Sequence, residues 1–231
     1  MLKLMKLEMR KHKINGIIRG ALITNLITLA FLFLIILAEK SEGNVAFTDY
    51  PTAFSVIGTF SKLTFTIFAG VLIARFIIDE FNHKTITVLF MYPINRKRLL
   101  TAKLAIVVIF TFLSILLTDL VVAFLFCTLS SFYSFIPDTL TGTKVVNFLI
   151  SSILDAFAFS GVGLIPLYFG MRKKSVPATI VSSVVIGSLL SSNSNGFSLS
   201  SIIAIPLSLA AIGAIIAYLT IRNIEHTDVG N

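Results

Sequence analysis

The sequence predicts an all-α polytopic membrane protein with six transmembrane helices. Of its 231 residues, 56% are hydrophobic and only 13% are charged, and the mean hydropathy is +0.95. Soluble domains carry about 25% charged residues. Apolar runs recur at roughly the 20 residues that a helix needs to cross a bilayer. These runs are apolar on all sides and do not alternate, which favours helices over the strands of a barrel.

Six segments meet this length and composition. They are Ile17–Leu37, Val56–Ile78, Leu104–Leu125, Val145–Phe169, Val176–Leu190 and Ile202–Ile221. The fifth is the shortest, and we expect it to include neighbouring serines. We expect residues 1–231 to form one transmembrane domain, because no soluble domain interrupts these runs.

Residues 1–15 carry a separate pattern ahead of the first span. Their basic residues recur at helical spacing, while Leu2, Met5 and Met9 lie on another face. This spacing predicts an amphipathic helix on the membrane surface. A disordered basic tail that serves only to orient the chain is the alternative.

The distribution of lysine and arginine predicts the orientation in the membrane. With six spans and a cytoplasmic N-terminus, 16 of the 19 basic residues fall on the cytoplasmic side. Lys40, Lys62 and Lys144 fall on the other side. This asymmetry places both termini in the cytoplasm. Topology and anionic lipid thus explain the net charge of +8, so nucleic acid is not needed as a partner.

The segments outside the predicted spans on the outer side are short. They are Glu39–Ser55, Ser130–Thr143 and Ser191–Ser201. The third, SSNSNGFSLSS, carries no charge. It either dips back into the membrane or simply turns.

The chain lacks the motifs of an enzyme. It has no G-x-x-x-x-G-K-[ST] phosphate loop and no H-E-x-x-H zinc motif. His12, His83 and His226 are far apart in sequence, so we predict no metal site. Serines are numerous, but no histidine lies in a predicted span to activate one. We predict no catalytic residues.

Three charged residues lie within the predicted spans. Lys62 is in span two, Asp119 in span three and Asp155 in span four, at similar depths in the outer half. A charge inside a bilayer is costly, with estimates from about 2.5 kcal/mol upward. We therefore expect Lys62 to pair with Asp119 or Asp155. The pair either lines a substrate path or switches during transport. The alternatives are a static packing contact, or residues near enough to the surface for their charged groups to reach water.

The interval Asp79–Lys103 separates spans two and three. Ile86, Leu89 and Phe90 recur at helical spacing, and Pro93 disfavours continuing that helix. This predicts a short amphipathic cytoplasmic helix, a turn and a new membrane helix. The apolar face of so short a helix needs either lipid or a groove on another protein.

The same interval carries the pattern Glu80, Lys84, Thr85, Leu89, Pro93, Ile94, Arg96, Leu99, Leu100 and Lys103, and Ile224–Val229 follows the last span. With six spans and a basic start, this pattern resembles type-2 ATP-binding-cassette (ABC) permeases, including bacterial peptide and antibiotic exporters. The outer loop between spans five and six is shorter than in many such relatives, which carry a re-entrant element there.

The resemblance implies a coupling segment over residues 79–92 that docks on an ATPase. Its coupling residues would be Glu80, Lys84, Ile86, Leu89 and Phe90. It also implies two ATP-binding cassette ATPase subunits that bind ATP and Mg²⁺, so that this chain binds no cofactor and catalyses no reaction. A second permease chain, identical or homologous, would complete the path in the bacterial cytoplasmic membrane.

The function implied is ATP-driven export of an amphipathic peptide, an antibiotic or a lipid-like molecule. Two other classes remain open from the residues alone. One is a membrane immunity or binding protein that needs no ATPase. The other is an ion-coupled transporter that uses Asp119 or Asp155 as its carrier.

Overall fold

The computed structural model of the chain describes residues 5, 14–41, 49–82, 96–133, 139–194, 197–198 and 202–223. Its helices are α1 (Ile14–Ser41), α2 (Tyr50–Ile73), α3 (Asp79–Asn82), α4 (Arg96–Tyr133), α5 (Gly142–Val162), α6 (Pro166–Lys173), α7 (Val176–Ser191) and α8 (Ala204–Asn223). A π-helical turn, Ala74–Ile78, joins α2 to α3. The predicted all-α class is confirmed.

Five stretches of the described chain are long and apolar enough to cross a membrane. They are Gly16–Ala38, Tyr50–Phe81, Lys97–Ser130, Gly142–Lys173 and Ala204–Arg222. The remaining predicted span, the fifth along the chain, corresponds to α7. This helix has only 16 residues, or about 24 Å at 1.5 Å per residue. It is the segment that the sequence marks as short.

The second and third spans extend further than hydropathy predicts. α2 begins at Tyr50 and not at Val56, with Pro51 in its first turn, where the missing N–H costs nothing. Tyr50, Ala53 and Phe54 are buried in this extension. α4 runs from Arg96 to Tyr133. A helix continues past the lipid wherever its backbone bonds and packing continue, and hydropathy does not detect this.

The fourth span is interrupted near its C-terminal end, which carries Arg172 and Lys173. α5 ends at Val162, and α6 begins at Pro166 after a turn over residues 163–165. Pro166 has no N–H for the Val162 carbonyl, which instead accepts from Ile165 N at 3.0 Å. The proline thus changes the course of the span.

α2 is the central helix of the bundle. It packs against α7, α4 and α5. Three clusters of buried apolar residues follow one another along it, containing Ile57, Phe65 and Ile73 respectively. α1 is peripheral, and only 17% of its span is buried, against 50% for the second span. Its exposed apolar face is suited to lipid.

Small residues allow α5 and α8 to approach closely. A Cβ placed on Gly161 would lie 2.7 Å from Ala210 Cβ, and one placed on Gly213 would collide with the Gly161 carbonyl oxygen. Such small-residue contacts are typical of membrane helix pairs. Gly161 therefore serves packing.

Two other predicted features are described in part. Within residues 191–201, β1 (Asn193–Ser194) pairs antiparallel with β2 (Phe197–Ser198), so this segment turns back on itself. Of the predicted surface helix, Met5 is described and packs against the cluster containing Ile73. The rest of residues 1–13 lies outside the described residues.

Candidate functional site

A polar cavity opens between α2 and α5 and reaches α4. Its volume is about 460 Å³. Its lining residues are Pro51, Phe54, Ser55, Gly58, Thr59, Lys62, Asp119, Lys144, Asn147, Phe148, Ser151, Ser152, Asp155 and Ile203. All three intramembrane charges that the sequence singles out line this one cavity.

The structure brings Lys62 and Asp155 into contact. Lys62 Nζ donates a hydrogen bond to Asp155 Oδ2 at 2.8 Å. The same ammonium lies 5.5 Å from the centre of the Phe159 ring, within the range of a cation–π contact. Asp155 and Phe159 are four residues apart on α5 and so share a face. Lys62 is held by a carboxylate and an aromatic ring together.

Asp119 is more deeply buried than this pair. The residue is 1% exposed, and its Oδ1 has no hydrogen-bond partner among the described residues. The Ser61 and Ser152 side chains are its polar neighbours, and Lys62 and Asp155 act on it electrostatically. A buried carboxylate oxygen without a partner is costly, so its presence beside a cavity calls for an explanation, such as a bound ion or ligand.

The three charges lie well inside the bundle. Lys62 and Asp155 are 12 and 13 residues from the starts of α2 and α5, and Asp119 is 14 residues from the end of α4. These separations correspond to about 18–21 Å at 1.5 Å per residue. The three charged residues therefore lie in the interior of these helices and not at their ends.

A second buried ion pair lies at the basic end of the bundle. Lys103 Nζ pairs with Glu80 Oε2. It also donates to the Phe76 carbonyl at 2.8 Å, inside the π-helical turn. Both charged residues are buried, Glu80 being 8% exposed and Lys103 3%. The π-helical turn, where Asp79 N reaches back to the Ala74 carbonyl, is a distortion often found at functional sites.

This placement changes the role expected of Glu80. The sequence suggests a residue that faces an ATPase, but the described side chain points into the bundle and binds Lys103. The coupling role of Glu80 stays a prediction, and its contact with Lys103 links the end of the second span to α4. Lys84, Ile86, Leu89 and Phe90, the other predicted coupling residues, lie outside the described residues.

Two groups of site residues escaped sequence reasoning. The first is Lys103, which the sequence places at the end of the polar interval, whereas its buried neighbours Leu100, Leu104 and Val107 show that it lies on the apolar face of α4. The second group consists of Lys144, Asn147, Ser151 and Ser152 on α5. Lys144, Asn147, Ser151 and Asp155 recur at intervals of three to four residues, with Ser152 beside them, and this polar stripe is visible in the sequence.

The two sites share the same two helical spans. The second span carries Lys62 and, 18 residues later, Glu80, while α4 carries Lys103 and, 16 residues later, Asp119. The ion pair at the base is therefore connected through continuous helix to the charges at the cavity. Within the described residues, no group of three or more potential metal ligands comes together.

Comparison with known proteins places the chain among transporter membrane proteins. The family model described as "ABC-2 family transporter protein" matches residues 4–189. The Bacillus subtilis (strain 168) protein YcbO, whose name records it as uncharacterized, is 47% identical over 227 residues. That alignment covers 98% of this chain and all of the relative. No solved structure gives a significant match.

Proposed function

We propose a specific transport role for this chain, which belongs to the ABC-2 family of transporter proteins and is a membrane permease subunit. It exports an amphipathic cargo in a complex with two ABC ATPase subunits. Those subunits bind ATP and Mg²⁺ and supply the driving force. A second permease chain, identical or homologous, completes the path. The complex lies in the bacterial cytoplasmic membrane, with the basic end and both termini in the cytoplasm.

The observation that carries this proposal is the ion pair between Glu80 and Lys103. It joins the end of the second span to the start of α4, across the segment formed by residues 83–95. Because both partners are buried, a push on that segment moves the two spans together instead of separating them. A docking segment held in this way suits a permease subunit that is moved by a separate ATPase subunit.

The cavity supports an amphipathic cargo. Hydroxyl, amide and charged groups line it, and the rings of Phe54 and Phe148 stack at 4.5 Å on its wall. The second span and α4 carry the motion from the ion pair to Lys62 and Asp119 at the cavity. ATP binding then shifts the path between inward-facing and outward-facing states.

The partner is tested first by purification. The tagged chain, extracted in mild detergent from the bacterium that encodes it, should retain an ABC ATPase subunit in stoichiometric amount. Recovery without any nucleotide-binding subunit would favour an immunity or binding protein. In vesicles, the complex should move a dye-labelled amphipathic peptide with ATP. Transport that needs a proton gradient and no ATP would favour an ion-coupled carrier.

The coupling role is tested in the same vesicles. Glu80→Gln and Leu89→Ala should each reduce transport per ATP hydrolysed while the protein remains in the membrane. Lys173→Gln removes a charge from the exposed end of α6 and should leave this ratio unchanged. Full ATP-driven transport by both coupling variants contradicts the assignment.

A further inference from the structure

We propose that the cavity between α2, α4 and α5 is a binding site for an organic ammonium group, with Asp119 as the carboxylate that recognises it. The ligand class is an amine carried on an aromatic or apolar body. The proposal rests on the proposed function, because it treats the cavity as the cargo site. It names the chemistry of the cargo.

The charges at the inner end of the cavity do not balance. Asp119, Asp155 and Lys62 lie there together, so that two carboxylates face one ammonium. Lys62 is bonded to Asp155 and lies over Phe159. It attracts Asp119 only at longer range. The inner end therefore lacks one positive charge.

The other cation of the cavity lies 11 residues from Asp155, which is about 16 Å along α5. Lys144 belongs to the first turn of α5, and its Nζ donates to the Thr139 carbonyl at 3.0 Å. Asp119 is meanwhile 1% exposed with Oδ1 unpartnered in the described part of the chain. Asp119 lines the cavity, so a cation bound there would balance the charge of this carboxylate in a site where water screens little.

The walls indicate what the ammonium is attached to. A volume of about 460 Å³ lies in the range of small-molecule sites, roughly 300–1,000 Å³. Phe54 and Phe148 provide an aromatic surface that suits an apolar body and also attracts cations. The exposed Ser55, Asn147 and Ser151 side chains offer hydrogen bonds nearer the mouth. These features fit a small amphipathic amine or the amine-bearing end of a longer molecule.

Direct binding tests the proposal without any ATPase. The chain alone, in phosphatidylcholine nanodiscs, is titrated with dansylcadaverine, a fluorescent primary amine, and with its uncharged N-acetyl analogue. The amine should bind at least about tenfold more tightly than the analogue, the loss expected when a charged hydrogen bond is removed. Asp119→Asn should abolish this preference. Equal binding of the two probes, or no binding of the amine, overturns the proposal.

Two further sets of variants guard against misfolding and general effects. Ser151→Lys and Ser151→Asp change the charge at an exposed wall position, and should weaken and strengthen amine binding by about threefold or more. Thr118→Val is the matched control. It removes a buried hydroxyl without a described partner, next to Asp119 but outside the cavity lining, and should leave binding unchanged. Indifference of amine binding to both Ser151 substitutions also overturns the proposal.

The outcome is separable from that of the proposed function. Amine binding is measured on the permease chain alone, whereas the transport role is tested by the ATPase partner and by Glu80. Amine binding without an ATPase partner would support the amine site and contradict the role in ATP-driven export. ATP-coupled transport with no preference for the amine would support the export role and contradict the amine site.

Discussion

Lys103 on α4 and Glu80 on α3 form a buried ion pair. The pair joins the two helices on either side of the segment between the second and third spans. Lys103 also donates to the Phe76 carbonyl, so one ammonium holds both a carboxylate and the π-helical turn. The pair fixes the separation of the two chain ends that border residues 83–95. We expect a force on those residues to act on both spans together.

Reversing the charges of this pair should reveal its structural contribution. Glu80→Lys and Lys103→Glu should each lower thermal stability, because breaking a buried pair leaves an uncompensated charge at a cost of about 3–5 kcal/mol. The double reversal should recover part of that loss. The recovery will be incomplete, because a glutamate at position 103 cannot donate to the Phe76 carbonyl. The measurement is the melting temperature of the purified chain in detergent.

The control for this series is Lys173→Gln, which removes a basic residue from the exposed end of α6. Its melting temperature should equal that of the wild type. A double reversal no more stable than the worse single variant would show that the two residues do not stabilise the fold through each other.

The pair between Lys62 and Asp155 predicts a second double-mutant cycle. Lys62→Asp should reduce transport and thermal stability, because two neighbouring carboxylates then join Asp119 in the cavity. Combining it with Asp155→Lys restores one ammonium at the inner end and should recover both properties in part. Exchanging Lys62 with Asp119 instead should recover less, because Lys62 contacts Asp155 at 2.8 Å. Equal recovery by both exchanges contradicts the observed pairing.

Gly161 predicts a steric effect on the bundle. A Cβ there would lie 2.7 Å from Ala210 Cβ, so Gly161→Val should force α5 and α8 apart. The expected loss is about 1–3 kcal/mol, the range for overpacked cores. Gly16→Val is the control, because nothing lies within 4 Å of a Cβ at that position. Equal melting temperatures for the two variants would contradict a tight α5–α8 contact.

The hydropathy of the sequence was enough to predict the spans, but not their distortions. Apolar runs of bilayer length require helices because the backbone has no other hydrogen-bond partners in lipid. The π-helical turn at Ala74–Ile78 and the course of the chain at Pro166 depend on how helices pack. Hydropathy detects neither feature, although the proline itself shows where the fourth span is interrupted.

The three intramembrane charges of the site were predictable from the sequence, but its polar wall and its geometry were not. The cost of a charge in lipid singled out Lys62, Asp119 and Asp155, yet it could not choose the partner of Lys62. That choice depends on Asp155 and Phe159 sharing one face of α5 toward α2. The partner of Glu80 was harder to foresee, since Lys103 lies in another span, 23 residues along the chain.

The central claim is that an ATPase acting on residues 83–95 changes the cavity through the second span and α4. Its most direct test is the labelling rate of Ser151→Cys, an exposed wall position, with Cys127 first replaced by serine. The rate is measured in the complete complex with a cationic thiosulfonate, with and without ATP. We predict that ATP changes the rate severalfold in this background and that Lys103→Gln removes most of the change. A labelling rate that is the same with and without ATP, in a complex that hydrolyses ATP, would contradict the account.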